Sequence, residues 1–173
     1  MRRALFLDRD GVLNELVQPA SGVYRAPWNW NEVKFYPGLE ILQSVRERGY
    51  LLVMVTNQPD IERGLVSTAF VDELNRYLSD KYRFDSTYVC PFQSSDHPDK
   101  KPNPGLLLRA AREFSLDMKG CWFLGDTSND VVAAARAGCR SVLIERSYNR
   151  QEGSDRRVRS YDELFSVLEE PLG

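Results

Sequence analysis

Four polar clusters in this 173-residue chain combine residue types that can do chemistry together. They are Asp8-Arg9-Asp10-Gly11, Thr56-Asn57-Gln58, Lys100-Lys101-Pro102, and Gly125-Asp126-Thr127-Ser128-Asn129-Asp130. Between them they supply a carboxylate nucleophile, a hydroxyl, an ammonium group and an acidic site suited to a metal ion. Such a set becomes a site only if the fold brings it to one place.

The clusters follow short apolar runs, at 3–8, 50–55, 86–90 and 121–124, and a fifth run lies at 140–144. These runs are too short for helices and several are rich in Val, Leu, Tyr or Phe, so they read as strands. Helical patterns separate them. One spans about 38–48 and is ended by Gly49; one spans about 67–82 and is opened by Ser67; one spans about 104–115 and is opened by Pro104; and one spans about 129–137 and is ended by Gly138. A last helix is expected from Ser160, with Glu163 completing a capping box ahead of Leu164 and Phe165. Alternation of this kind predicts an α/β fold with a central parallel sheet of about five strands. In open sheets of that class, ligands bind beyond the carboxyl ends of the strands, where the polar clusters fall.

The set and its order resemble the haloacid dehalogenase (HAD) superfamily of phosphatases, whose motifs are D-x-D-G, a strand-end Thr or Ser, a Lys, and G-D-x-x-x-D. The likeness runs over residues 3–144 and implies a three-layer, Rossmann-like HAD fold. It also implies roles with a physical basis. Asp8 would attack phosphorus and form an aspartyl-phosphate, splitting one hard hydrolysis into two displacements. Asp10, two residues on along an extended backbone, returns to the face of Asp8 and would protonate the leaving oxygen, then take a proton from water. Gly11 would allow close approach of the substrate. Thr56 would donate to a phosphoryl oxygen and Lys101 would offset developing charge. A carboxylate meeting a phosphate dianion needs a cation, so Mg²⁺ is expected, held by Asp8, the Asp10 carbonyl and Asp126, with Asp130 acting through water or by orienting another ligand. Helix N-capping is the plainer reading of Asp126 and Asp130, and the two roles can coexist.

Asp8 and Thr56 lie 48 residues apart, and Thr56 and Lys101 lie 45 apart, each interval already holding a helix. A cap domain does not fit, so residues 1–173 read as one capless phosphatase domain. The wording of Leu7–Asn14, Thr56-Asn57-Gln58, Arg63-Gly64 and Lys101–Gly105 is most similar to the branch acting on heptose bisphosphate or histidinol phosphate. That branch commonly carries a zinc loop. Here Cys90 is kept, Phe92 stands where a His is expected, and no Cys pair precedes Lys101. Cys90 and His97 alone do not close a tetrahedral site, so no structural zinc is expected.

Without a cap, specificity falls to loops. Arg63 and Lys100 are candidates for a second phosphate of a bisphosphate, with ordinary surface charge as the alternative; Asn57 is a candidate substrate contact. Trp28 and Trp30 in the irregular stretch 12–36 read as anchors of that loop more than as a sugar platform. The Arg146, Arg150, Arg156, Arg157 and Arg159 group is interspersed with Glu145, Glu152 and Asp155 and reads as a solvated loop.

Composition narrows the partners. The chain is 42% hydrophobic and 28% charged with a net charge of −2, which predicts a folded domain without general attraction to nucleic acid or anionic membrane. Its longest apolar stretch, Tyr50–Val55, is far short of the ~20 residues that span a bilayer. The start lacks the apolar length of a signal peptide, so a cytoplasmic location is expected, as a monomer acting on a small phosphorylated molecule. The three widely spaced cysteines read as small buried hydrophobes. A sugar phosphatase, with D-glycero-D-manno-heptose 1,7-bisphosphate as the leading substrate, is therefore expected ahead of a histidinol-phosphate phosphatase, a polynucleotide 3′-phosphatase or a non-catalytic phosphate-binding protein.

Overall fold

The computed structural model describes residues 2–20 and 22–169. Six parallel strands, β1 (Arg3–Leu7), β2 (Tyr50–Asn57), β3 (Ser86–Cys90), β4 (Trp122–Gly125), β5 (Arg140–Ile144) and β6 (Arg156–Val158), form one sheet in the order β3-β2-β1-β4-β5-β6. Successive side chains of a strand point to opposite faces, and both faces of this sheet are covered. Leu5 and Leu7 of β1 pack on one side with Leu42 and Val45 of α1 (Ile41–Glu47), Val71 and Leu74 of α2 (Thr68–Tyr82), and Leu164 of α5 (Leu164–Leu168). Ala4 and Phe6 pack on the other with Leu106 and Leu107 of α3 (Gly105–Phe114) and Ala133 and Ala134 of α4 (Ser128–Ala137). The result is the three-layer α/β architecture expected, without a cap domain among the described residues.

The sixth strand departs from the expectation of about five. Residues 156–158 pair with β5 through Val142↔Arg156, Leu143↔Arg157 and Ile144↔Val158. An edge strand of three residues, two of them arginine, carries no apolar run to betray it; Asp155 ties it down by accepting from the Ser141 N–H and hydroxyl at 2.7 and 2.8 Å.

Helix ends follow local chemistry in most places. The Ser67 hydroxyl accepts from the Phe70 N–H at 3.1 Å, and Gly138 closes α4 at φ +80°. Two ends differ. The first helix begins at Ile41, because Gly38 sits at φ +85° and the chain turns before it coils. After Ser160 comes a 3₁₀ turn, Tyr161–Glu163, before α5, and the Glu163 carboxylate accepts from the Arg159 N–H instead of forming the expected capping box.

The stretch 12–36 is a folded excursion with antiparallel bridges Asn14↔Phe35 and Val17↔Arg25. Its tryptophans are anchors, as expected: the Trp28 ring N–H donates to Asp60 at 2.8 Å, and Trp30 meets Phe70 and Tyr77 edge to face. Cys90, Cys121 and Cys139 are free and buried. No helix among the described residues is long and apolar enough to cross a membrane.

Candidate active site

The strand order reverses between β1 and β4, where an open α/β sheet leaves a crevice at its carboxyl edge. Asp8 follows β1 and Asp126 follows β4, and the Asp8 N–H donates to the Leu124 carbonyl at 3.0 Å, stitching the two strand ends together. Carboxylate oxygens of Asp8, Asp126 and Asp130 lie within 4.8 Å of one another. Lys101 reaches into the same space: its Nζ is 2.9 Å from Asp8, 2.6 Å from Asp130 and donates to the Val55 carbonyl at 3.1 Å, with only 3% of the residue exposed.

Three carboxylates facing one ammonium leave two negative charges in a nearly dry place. Burial, helped by Asp130 and Asp10 and opposed by Lys101, pushes the Asp8 carboxyl up to about 7. Burial and the charges of Asp130 and Asp8 push Asp126 well above the usual carboxylate range. Burial alone would lower the Lys101 ammonium, but Asp130 and Asp8 outweigh it and hold it charged. Asp126 Oδ1 is buried without a hydrogen-bond partner. Carboxylates that resist ionising together without a cation, and an orphaned carboxylate oxygen, fit an oxygen-seeking divalent cation. The residues to hold it are Asp8 and Asp126. Asp130 is otherwise engaged: one oxygen takes Lys101, and the other accepts from the N–H groups of Asp126 and Thr127 and from the Thr127 hydroxyl.

Glycines make the crowding possible. Gly11 adopts φ +84°, and a Cβ there would fall 1.9 Å from Asp126 Oδ2; a Cβ on Gly125 would fall 2.2 Å from the Asp130 Cβ.

A second buried network positions Asp10. Its carboxylate accepts from the Arg9 guanidinium, from Asn14 at 2.9 Å and from Gln58 at 2.6 Å. Arg9 is fully buried, and its remaining arm donates to Asn75 of α2 at 3.0 Å. The Gln58 amide also donates to the Thr56 hydroxyl at 2.9 Å, so the groups after β1 and after β2 are one hydrogen-bonded unit. Asp8, Asp10, Asn57, Asp126, Tyr24, Arg25 and Arg63 line a cavity of about 260 Å³ over the strand ends.

Asn57 is placed differently from a free substrate contact. Its side-chain carbonyl accepts from the Lys101 N–H at 3.1 Å and its amide donates to the Lys101 carbonyl at 3.0 Å, so it clamps the lysine's backbone to the end of β2. Arg63 and Lys100 sit on the rim. Arg63 pairs with Asp60 at 3.0 Å and donates to the Gln93 side chain, while Lys100 donates to the Gln93 carbonyl. His97 stacks on Phe92, and its Nδ1 accepts from the Asp99 N–H. Of the five arginines between 145 and 159, Arg150, Arg156 and Arg159 are exposed, as the solvated-loop reading expects, whereas two are drawn in: Arg146 donates to the Gly11 carbonyl at 2.8 Å and lies over Tyr36, and Arg157 donates to the Asn149 and Glu152 carbonyls.

The sequence placed Arg9, Asn14 and Gln58 inside its motifs without a role for them, and assigned no site role to Asn75, Tyr148 or Asn149. Asn75 left a trace, a polar residue among Val71, Leu74 and Leu78 on the buried face of α2. Tyr148 and Asn149 left none.

A family model described as HAD-hydrolase-like matches residues 99–169. The chain is also 30% identical over 181 residues to the D-glycero-beta-D-manno-heptose-1,7-bisphosphate 7-phosphatase of Bordetella bronchiseptica, covering 98% of both chains. The protein belongs to the HAD phosphatases. A second relative, the D-glycero-alpha-D-manno-heptose-1,7-bisphosphate 7-phosphatase of Campylobacter jejuni, is 30% identical over 97% of this chain and 96% of its own. Among solved structures, the D,D-heptose 1,7-bisphosphate phosphatase of B. bronchiseptica, complexed with magnesium and phosphate, superposes at a TM-score of 0.82 with 26% identity, over 97% of this chain and 98% of that one. A HAD-like phosphatase of Mesorhizobium loti superposes at 0.77 with 28% identity, over 96% and 84%. As a HAD phosphatase this chain is a phosphoric monoester hydrolase, and its Asp8–Asp126 pair fits an ion such as the Mg²⁺ that the B. bronchiseptica structure contains. When bound, the ion offsets the repulsion between the Asp8 carboxylate and a phosphate dianion.

Proposed function

We propose that this HAD phosphatase removes the 7-phosphate of a D-glycero-D-manno-heptose 1,7-bisphosphate through an aspartyl-phosphate on Asp8. The observation that carries the chemistry is the Asp8 carboxylate, 2.9 Å from a buried lysine and clustered with Asp126 and Asp130 at the floor of a small cavity. The similarity to heptose bisphosphate phosphatases, end to end, supports the substrate. Those relatives divide between the α and β anomers, so the likeness carries the sugar and not the anomer.

In the first step an Asp8 oxygen forms a bond to phosphorus as the bond from phosphorus to the sugar oxygen breaks. For this step Asp10 must carry a proton and turn one oxygen out of the cage made by Arg9, Asn14 and Gln58; it then gives that proton to the sugar oxygen. In the second, water attacks phosphorus, Asp10 takes a proton from that water, and Asp8 leaves as a carboxylate. Lys101 keeps its charge through both steps because Asp130 holds it throughout, and Thr56, fixed by Gln58, donates to a phosphoryl oxygen. Arg63, which lines the cavity, and Lys100, which shares Gln93 with it, are the cations offered to a distal phosphate in this reading.

Hydrolysis of the two heptose 1,7-bisphosphate anomers, hexose bisphosphates, histidinol phosphate and a 3′-phosphorylated oligonucleotide, compared by kcat/KM, tests this reading. A heptose bisphosphate is expected to lead; preference for histidinol phosphate or the oligonucleotide overturns the substrate while leaving the Asp8 chemistry intact.

A further inference from the structure

The loop that follows β5 sends three side chains toward the metal site. Arg146 donates to the Gly11 carbonyl at 2.8 Å, the Asn149 amide donates to the Asp126 and Ile144 carbonyls at 2.7 and 2.8 Å, and the Tyr148 hydroxyl reaches Asp126 Oδ2 at 2.5 Å. The last contact touches a metal-binding carboxylate directly.

Several features make this contact a built one. Asn149 fixes the loop against the end of β4 next to Tyr148, so the tyrosine does not depend on a mobile backbone for its aim. The space it uses is open only because Gly11 has no side chain: a Cβ there would lie 2.7 Å from the Tyr148 oxygen as well as 1.9 Å from Asp126 Oδ2. The Tyr148 ring is backed by Tyr24, with centroids 4.9 Å apart. Tyr24 lines the reaction cavity, and Tyr148 lines with it an adjoining cavity of about 550 Å³.

We propose that Tyr148 is a positioning residue that sets the Mg²⁺ affinity of the site by holding Asp126 Oδ2 and leaving Oδ1 free as a single-oxygen ligand. A carboxylate with both oxygens free can swing about its last torsion or offer both oxygens to a cation. With Oδ2 tied to a hydroxyl, Oδ1 remains buried and unpartnered, pre-aimed for the ion. Hydrogen-bonding partners of metal ligands typically change metal affinity by about 10–100-fold when removed. The inference rests on the Mg²⁺ site and is independent of which sugar phosphate is hydrolysed.

Tyr148→Phe removes one oxygen and keeps the ring against Tyr24. The Mg²⁺ concentration giving half-maximal turnover is expected to rise about tenfold, with kcat at saturating Mg²⁺ staying within about twofold of wild type. Calorimetric titration of Mg²⁺ into the metal-free protein should show the same loss of affinity. Thermal midpoints taken with EDTA and with a fixed Mg²⁺ concentration on the same sample should show a smaller Mg²⁺-induced gain in the variant, a comparison that holds even if the variant is less stable. An unchanged Mg²⁺ midpoint in Y148F overturns the inference, whether or not its EDTA midpoint falls, because the hydroxyl would then serve only packing. A wild-type protein with no Mg²⁺ response would instead overturn the metal site itself, a separate outcome.

Discussion

The floor of the site and its rim are held by different means. On the floor, Lys101 is 3% exposed and bound by Asp8, Asp130 and the Val55 carbonyl, while Asp10 is bound by Arg9, Asn14 and Gln58. On the rim, the Arg63 side chain is 47% exposed, paired with Asp60 and leaning with Lys100 on one residue, Gln93. Charges on the floor are desolvated, so each acts strongly on its neighbours and its position is over-determined; a rim charge is screened by water and its bonds exchange readily. A phosphatase needs that division, with a fixed end for the phosphoryl group, common to every substrate, and an adaptable end for the rest of the molecule.

The hardest test of the comparison is at its centre. Asp8→Asn keeps the size of the side chain and removes the attacking charge, so steady-state turnover is expected to fall by about 10⁴-fold or more; near-normal turnover would mean that the floor is not the reacting end. Asp10→Asn should divide substrates by leaving group. On a sugar phosphate the loss is expected to be about 10²–10⁴-fold, and on p-nitrophenyl phosphate, whose leaving group needs little protonation, clearly less. Equal losses on both would remove the proton-transfer role and leave Asp10 a structural partner of Arg9.

Desolvation of the floor also predicts a pH dependence. The Asp8 carboxyl sits at about 7, above its ordinary 3.8, so the folded metal-free protein holds that proton more tightly than the unfolded chain does. The stability so gained is full below about pH 4 and is lost as pH rises through about 7. Mg²⁺ replaces the proton, so the Mg²⁺-induced rise in thermal midpoint should be larger at pH 7.5 than at pH 5. A midpoint in EDTA that does not fall over that interval would show the floor to be better solvated than its geometry implies.

The smallest effect belongs to the rim. Arg63→Gln or Lys100→Gln should raise KM for a heptose bisphosphate by roughly tenfold and leave kcat and the matching monophosphate nearly unchanged, because distal binding is lost while the chemistry is untouched. Identical KM changes on both substrates would mean that the rim charges serve Asp60 and Gln93 alone.

The sequence by itself determined the alternating strands and helices, the reactive type of Asp8, Asp10, Thr56, Lys101, Asp126 and Asp130, the strand-end place of Asp8, Thr56 and Asp126, and the lack of room for a cap. Periodicity and spacing are local properties that chain geometry converts directly into faces and ends. Only the tertiary structure decided that β6 joins the sheet, since three residues rich in arginine become a strand because β5 offers them an edge. It also decided what each polar group holds. Asn57 clamps the Lys101 backbone across 44 residues, Arg9 reaches Asn75 across 66, Arg146 reaches Gly11 across 135, and Tyr148 meets Asp126 from a loop 22 residues on. Most buried donors find an acceptor, and which one each finds depends on the packing of elements distant in the chain, which residue types and spacing do not encode.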